Sequence, residues 1–117
     1  LGAWSCDRQA MQTPYIFPSD NGLRCNVRQA VIGSVCIERI DDDFAFAVSD
    51  FGVESLMRAQ HTFECMEQSA LHVHVDGYHM GVGGDDSWTP SVRPEYLLNA
   101  ETYRWGFRLS VAHDDKP

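Results

Sequence analysis

The sequence predicts an all-β fold of antiparallel strands with one short helix. Three observations carry that expectation. Several short runs alternate large apolar and polar side chains, the period of two that a half-buried strand requires. Gly, Pro and Asn-Gly punctuation recurs at short intervals, which favours strands joined by turns. Only one stretch has helical spacing.

Taken in order, the chain opens with Pro14, Pro18 and the turn pair Asn21-Gly22. Leu23, Cys25 and Val27 then alternate with Arg24, Asn26 and Arg28 and read as the first strand. Residues 31–40 offer another strand, less cleanly patterned. Residues 44–48 read Phe-Ala-Phe-Ala-Val, with an aromatic face and a small alanine face. Ser49 or Asp50 is placed to cap a short helix over 53–60, where Leu56, Met57 and Gln60 suit helical spacing. In 71–76, Leu71, Val73 and Val75 are expected inward and His72, His74 and Asp76 outward. The clearest strand is 103–112: Tyr103, Trp105, Phe107, Leu109 and Val111 share one face, with Arg104 and Arg108 on the other. Antiparallel strands of this kind are expected to pack as a sandwich. The strand number makes a thin sandwich with exposed edges, which a partner domain or further chain would have to cover.

The length of 117 residues fits one domain, residues 1–117. Nine Lys and Arg against 17 Asp and Glu give a net charge of −8, which repels phosphate backbones and anionic lipid. Nucleic acid and membrane surfaces are therefore excluded as partners. No apolar run reaches the roughly 20 residues that span a bilayer, and no signal-peptide pattern opens the chain, so a cytoplasmic location is expected. The first residue, Leu1, suggests a piece of something longer. Cys6, Cys25, Cys36 and Cys65 include no CxxC pair, and the expectation is four reduced, mostly buried thiols.

The most unusual stretch is 76–90. Gly77, Gly81, Gly83 and Gly84 allow close backbone approach, and Asp85, Asp86, Ser87, Trp88, Thr89 and Pro90 follow directly. Trp88 has two readings: a cap folded back over the core, or a platform for the C–H face of a sugar ring. His72, His74 and His79 near Asp76 have the residue types of a zinc or copper site, but such a face is more often solvated. Glycosidase chemistry needs two carboxyl groups roughly 5 to 9.5 Å apart across the scissile bond. Adjacent Asp85 and Asp86 diverge, Asp41, Asp42 and Asp43 read as a solvated turn, and Asp114 and Asp115 lie in a tail. No nucleophile–base signature or phosphate-cradling loop is present. The residues predict no catalytic residue and no metal ligand in this chain.

Two strings carry a resemblance. GYHMGVGGDDSWTPSV (77–92) resembles the signature near the C-terminus of large bacterial β-galactosidases of glycoside hydrolase family 2. PYIFPSDNGLRCNVR (14–28) resembles an earlier segment of the same domain, at a spacing that also fits. Residues 31–71 align more loosely; 1–13 are only weakly distinctive, and 112–117 have no counterpart. The resemblance implies the later part of a β-supersandwich of the galactose mutarotase-like kind. It implies a parent chain that hydrolyses terminal β-D-galactosides such as lactose with retention. Its catalytic glutamates and its magnesium and sodium sites would lie in a separate barrel domain, the expected partner. A homo-oligomer of the full-length enzyme is also implied. The family's substrate-stacking tryptophan corresponds to Trp88. The fragment alone is expected to be inactive. The alternatives are a stand-alone carbohydrate-binding module, with Trp88 and Tyr78 as a flat platform, or a structural interaction domain.

Overall fold

The computed structural model describes residues 2–11, 22–65, 69–80, 84–86 and 88–111. Among these residues the fold is all-β, with two three-stranded sheets and one short helix. The expectations at Pro14, Pro18, Asn21, Gly81, Gly83, Ser87, Ala112, Asp114 and Asp115 lie outside the described residues. The chain divides into two compact units, Leu1–Cys25 with Phe46–Val75, and Asn26–Ala45 with Asp76–Pro117.

One sheet has the order β1-β4-β5, formed by β1 (Arg24–Val27), β4 (Phe44–Ser49) and β5 (His72–Asp76). The expected strand over 44–48 is present as the central strand β4, which carries most of the core. Phe44, Phe46, Ala47 and Val48 are all buried. Asn26 has φ of 57°, the left-handed region that Asn tolerates better than most residues. The break in extended geometry spoils the expected alternation: Cys25 is exposed and Val27 only half-buried.

Helix α1 (Val53–Arg58) is shorter than the expected 53–60, and its N-cap is Gly52 without a side-chain cap. The Ser49 hydroxyl instead accepts the Phe51 backbone N–H at 3.0 Å, within the turn before the helix. The expected inward and outward faces of 71–76 are not observed. Leu71 and Val73 are exposed, whereas His72 and His74 are half-buried. His72 lies against Gly52, where an added Cβ would meet its ring at 2.9 Å. An imidazole takes the inner place that the pattern assigned to valine.

The second sheet has the order β2-β3-β6, from β2 (Gln29–Ile32), β3 (Val35–Arg39) and β6 (Phe107–Val111), all antiparallel. The expected strand over 31–40 is in fact two strands joined by a two-residue loop. Gly33 opens that loop at φ of 58°, a conformation suited to a tight hairpin. Ala30, Ile37 and Leu109 lie opposite one another, as do Ile32, Val35 and Val111. One face is therefore apolar, and Ile37 on the central strand is 3% exposed. The other face carries Gln29, Glu38 and Arg108; Gln29 Nε2 donates to Glu38 Oε1 at 3.0 Å.

The expected strand over 103–112 is shorter, because residues 103–106 have another task. Tyr78 donates its hydroxyl to the Arg104 carbonyl at 3.0 Å, and its ring meets Tyr103 edge-on at 4.8 Å between centroids. Trp105 lies on Gly77 and tilts against Phe107 at 5.5 Å. These rings pack on the chain after β5 rather than continuing a ladder.

Asp43 is also reassigned. Asp41 and Asp42 are exposed as expected, but Asp43 is half-buried and pairs with both Arg28 and Arg39. The four cysteines are free, as expected. None is buried, however: Cys6 and Cys25 are exposed, Cys36 and Cys65 intermediate.

Candidate functional site

Beyond β5, the chain at Gly84 and at Val92 comes together, with Trp88 between them in sequence. Gly84 pairs with Val92 in an antiparallel bridge. A Cβ at Gly84 would meet the Ser91 carbonyl oxygen at 2.8 Å, so only glycine lets the two backbones approach this closely. Beside the bridge, Asp85 accepts from Arg93 Nη2 at 2.7 Å and Nε at 3.3 Å. Both side chains are exposed, so the pair adds little energy.

Within the loop, Asp86 organises the backbone under Trp88. Its Oδ1 accepts the Trp88 and Thr89 backbone N–H groups, both at 2.8 Å. The Thr89 hydroxyl donates to the same carboxylate, 3.0 Å from Oδ1 and 2.9 Å from Oδ2. This is the local side-chain-to-backbone turn at which Asp excels. The Ser91 N–H then donates to the Thr89 carbonyl at 2.7 Å. The Thr89 N–H, followed by the Trp88 N–H and the Thr89 hydroxyl, holds the Asp86 carboxyl below the usual carboxylate range.

The Trp88 side chain is left outside this turn, 92% exposed. The reading in which it folds back as a lid over the core does not describe this structure. A tryptophan offers about 150–250 Å² of burial, and here nearly all of the side chain is left to solvent.

Other sequence candidates are placed elsewhere. Tyr78, considered as a second platform residue, is committed to Tyr103 and Arg104. Among the described residues, no group of three or more His, Cys, Asp or Glu is arranged to hold a metal ion. Asp85 and Asp86 turn to different partners, Arg93 and the Trp88–Thr89 backbone, so they do not face a common substrate atom. No helix among the described residues is long and apolar enough to cross a membrane.

Sequence reasoning singled out Trp88 but missed the residues that present it. The roles of Asp86, Thr89 and Arg93 depend on hydrogen bonds that close only when the loop turns. A signal was present: an Asp two and three residues before the N–H groups it would accept is the sequence pattern of such a turn.

The family model for the Beta galactosidase small chain matches residues 1–109. A Beta-galactosidase of Aeromonas hydrophila is 45% identical over 105 residues, covering 90% of this chain and 10% of that protein. One from Psychromonas ingrahamii is 46% identical over 105 residues, with the same coverage. One from Leuconostoc mesenteroides is 39% identical over 114 residues, covering 97% of this chain and 11% of that protein. The chain thus spans about a tenth of the length of the curated relatives it matches.

Proposed function

The chain belongs to the beta galactosidase small chain family, and on that premise we propose that it is a C-terminal part of a larger retaining β-galactosidase in the cytoplasm. The parent enzyme hydrolyses terminal β-D-galactosides such as lactose. This chain supplies no catalytic carboxylate. It belongs to a supersandwich domain of glycoside hydrolase family 2 architecture that docks on a catalytic barrel, and the glutamates, magnesium and sodium reside in that barrel. The fragment alone is inactive, and the full-length enzyme is a homo-oligomer.

In this reading Trp88 is the chain's contribution to the sugar site. A pyranose presents a face of C–H groups that packs on an indole, a contact worth on the order of 1 kcal/mol beyond area burial. The observation that carries the proposal is the exposed ring on a turn tied by Asp86. One such contact cannot offset association costs of at least about 4 kcal/mol, so the chain alone does not retain free sugar.

The test is Trp88→Ala in the full-length enzyme. The expected result is a KM for lactose raised roughly fivefold, with kcat changed less, as loss of an initial binding contact requires. A KM equal to wild type removes the sugar role. The isolated chain should give no lactose titration signal and no turnover; saturable binding by it alone would favour a self-sufficient carbohydrate-binding module.

A second, compatible role rests on the sheet β2-β3-β6. Leu109 and Val111 on its edge strand are 61% and 54% exposed, on the face that Ile37 occupies. We propose that the remainder of the enzyme covers them, making the chain a packing element as well as a site contributor. Replacing Leu109 by Asp in the full-length enzyme should then lower its thermal stability; an unchanged melting temperature counts against this role.

A further inference from the structure

We propose that Asp86 and Thr89 are positioning residues that fix the backbone from which the Trp88 ring projects, and so tune substrate affinity without touching substrate. The inference deepens the sugar-platform reading and rests on it. Two backbone N–H groups, of Trp88 and Thr89, converge on one Asp86 oxygen at 2.8 Å. The Thr89 hydroxyl braces the same carboxylate through both oxygens at 3.0 and 2.9 Å. Together these bonds fix where the Cα–Cβ bond of Trp88 points, although no packing holds the ring itself.

The surrounding loop makes this bracing effective. The Gly84–Val92 bridge closes the base of the loop, and the Asp85–Arg93 pair lies beside it. The Ser91 N–H bond to the Thr89 carbonyl closes its far side. Between those anchors, the turn at Asp86 orders the backbone that carries the indole. A ring bound to a preordered backbone loses less freedom on meeting a sugar than one on a loose tip, and the saving appears as affinity. The carboxylate is placed to act through hydrogen-bond acceptance, so an amide oxygen at the same position should do much of the same work.

The experiment uses the full-length enzyme with Asp86→Ala, Asp86→Asn, Thr89→Val, Trp88→Ala and the double variant Asp86→Ala/Trp88→Ala. Two readouts are taken: KM and kcat for lactose, and backbone hydrogen exchange of the segment holding Trp88 and Thr89. Asp86→Ala should raise KM about threefold to fivefold with kcat nearly unchanged, and should speed exchange at both amides. Asp86→Asn should recover most of both losses, because its side-chain carbonyl accepts the same N–H bonds. Thr89→Val should have a smaller effect of the same kind. In the Trp88→Ala background, Asp86→Ala should add nothing to KM.

If Asp86→Ala raises KM equally with and without the indole, the residue does not act through Trp88 and the positioning role is overturned. Unchanged exchange and unchanged KM in Asp86→Ala overturn it as well. Should Trp88→Ala leave KM at wild type while Asp86→Ala still speeds exchange, the sugar-platform reading has failed. The turn would then stand as a local structural brace only. Thr89→Val and Asp86→Asn keep the test informative if Asp86→Ala folds poorly.

Discussion

Trp105 lies with its indole against the backbone of Gly77, so close that a Cβ at position 77 would overlap the ring atoms. The atoms in the way belong to a rigid bicycle rather than to the end of a flexible chain. Gly77→Ala must therefore push Trp105 off its seat and, with it, the contact to Phe107. The expected cost is about 1–3 kcal/mol, in the range of overpacking substitutions. Urea unfolding of the full-length enzyme, followed by tryptophan fluorescence, should show an earlier first transition. An unchanged curve would mean that the ring relocates freely.

Phe44 is the most buried large side chain of the described residues, at 2% exposure. Removing its ring leaves a cavity beside β4, which carries most of the core. Phe44→Ala should destabilise by about 3–5 kcal/mol, whereas Phe44→Leu should cost far less. Thermal unfolding of the two variants checks the ranking. Equal melting temperatures would show that burial at this position carries little energy.

The Asp86 carboxyl is held below its ordinary range by the N–H groups of Thr89 and Trp88 and by the Thr89 hydroxyl. A carboxyl lowered in the folded state stabilises its turn above the ordinary value and loses that contribution as pH falls through the folded one. Exchange protection at Trp88 and Thr89, corrected for the intrinsic rate, should accordingly be flat from neutral pH to about 4 and then fall. Asp86→Asn should show no such fall. A wild-type profile with no acid limb would count against the carboxylate as the brace.

Glu64 is bound in the same way by a different turn. Its Oε2 accepts the Gln60 N–H at 2.6 Å, and its Oε1 lies 3.2 Å from His61 Nδ1. The Gln60 N–H first, then the His61 ring, keep its carboxyl below the usual range. Glu64→Ala should raise hydrogen exchange across residues 60–65 at neutral pH while leaving the exchange of β4 unchanged. Spread of the effect into β4 would show that the turn is part of the core's cooperative unit.

The four thiols offer a chemical check on the fold. Cys6 and Cys25 are exposed, Cys36 and Cys65 less so. Brief maleimide labelling of the purified chain, read by peptide mass spectrometry, should modify Cys6 and Cys25 before the other two. A disulfide among the four, or the reverse order of labelling, contradicts these positions.

Some of this was legible in the residue pattern. The run 44–48 gave its strand directly, because a period of two needs no distant partner to be interpreted. The glycine-rich string singled out the segment of Trp88, although the residues alone left open whether the ring covers the core or stands outward. Elsewhere pattern misled. Valines at 73 and 75 suggested an inward face, yet His72 took an inner place against Gly52. Tyr103 and Trp105 suggested a longer final strand, yet their rings went to Tyr78 and Gly77.

By itself, then, the sequence determined the all-β class and the strand over 44–48, and it singled out Trp88 by its string. Each of these follows from interactions between near neighbours or from a distinctive local string. Only the tertiary structure decided that Trp88 stands outward, that Gly84 pairs with Val92, and that Asp85 meets Arg93. Those facts depend on hydrogen bonds and close approaches that exist only once the chain has turned back on itself, and no linear period encodes that closure.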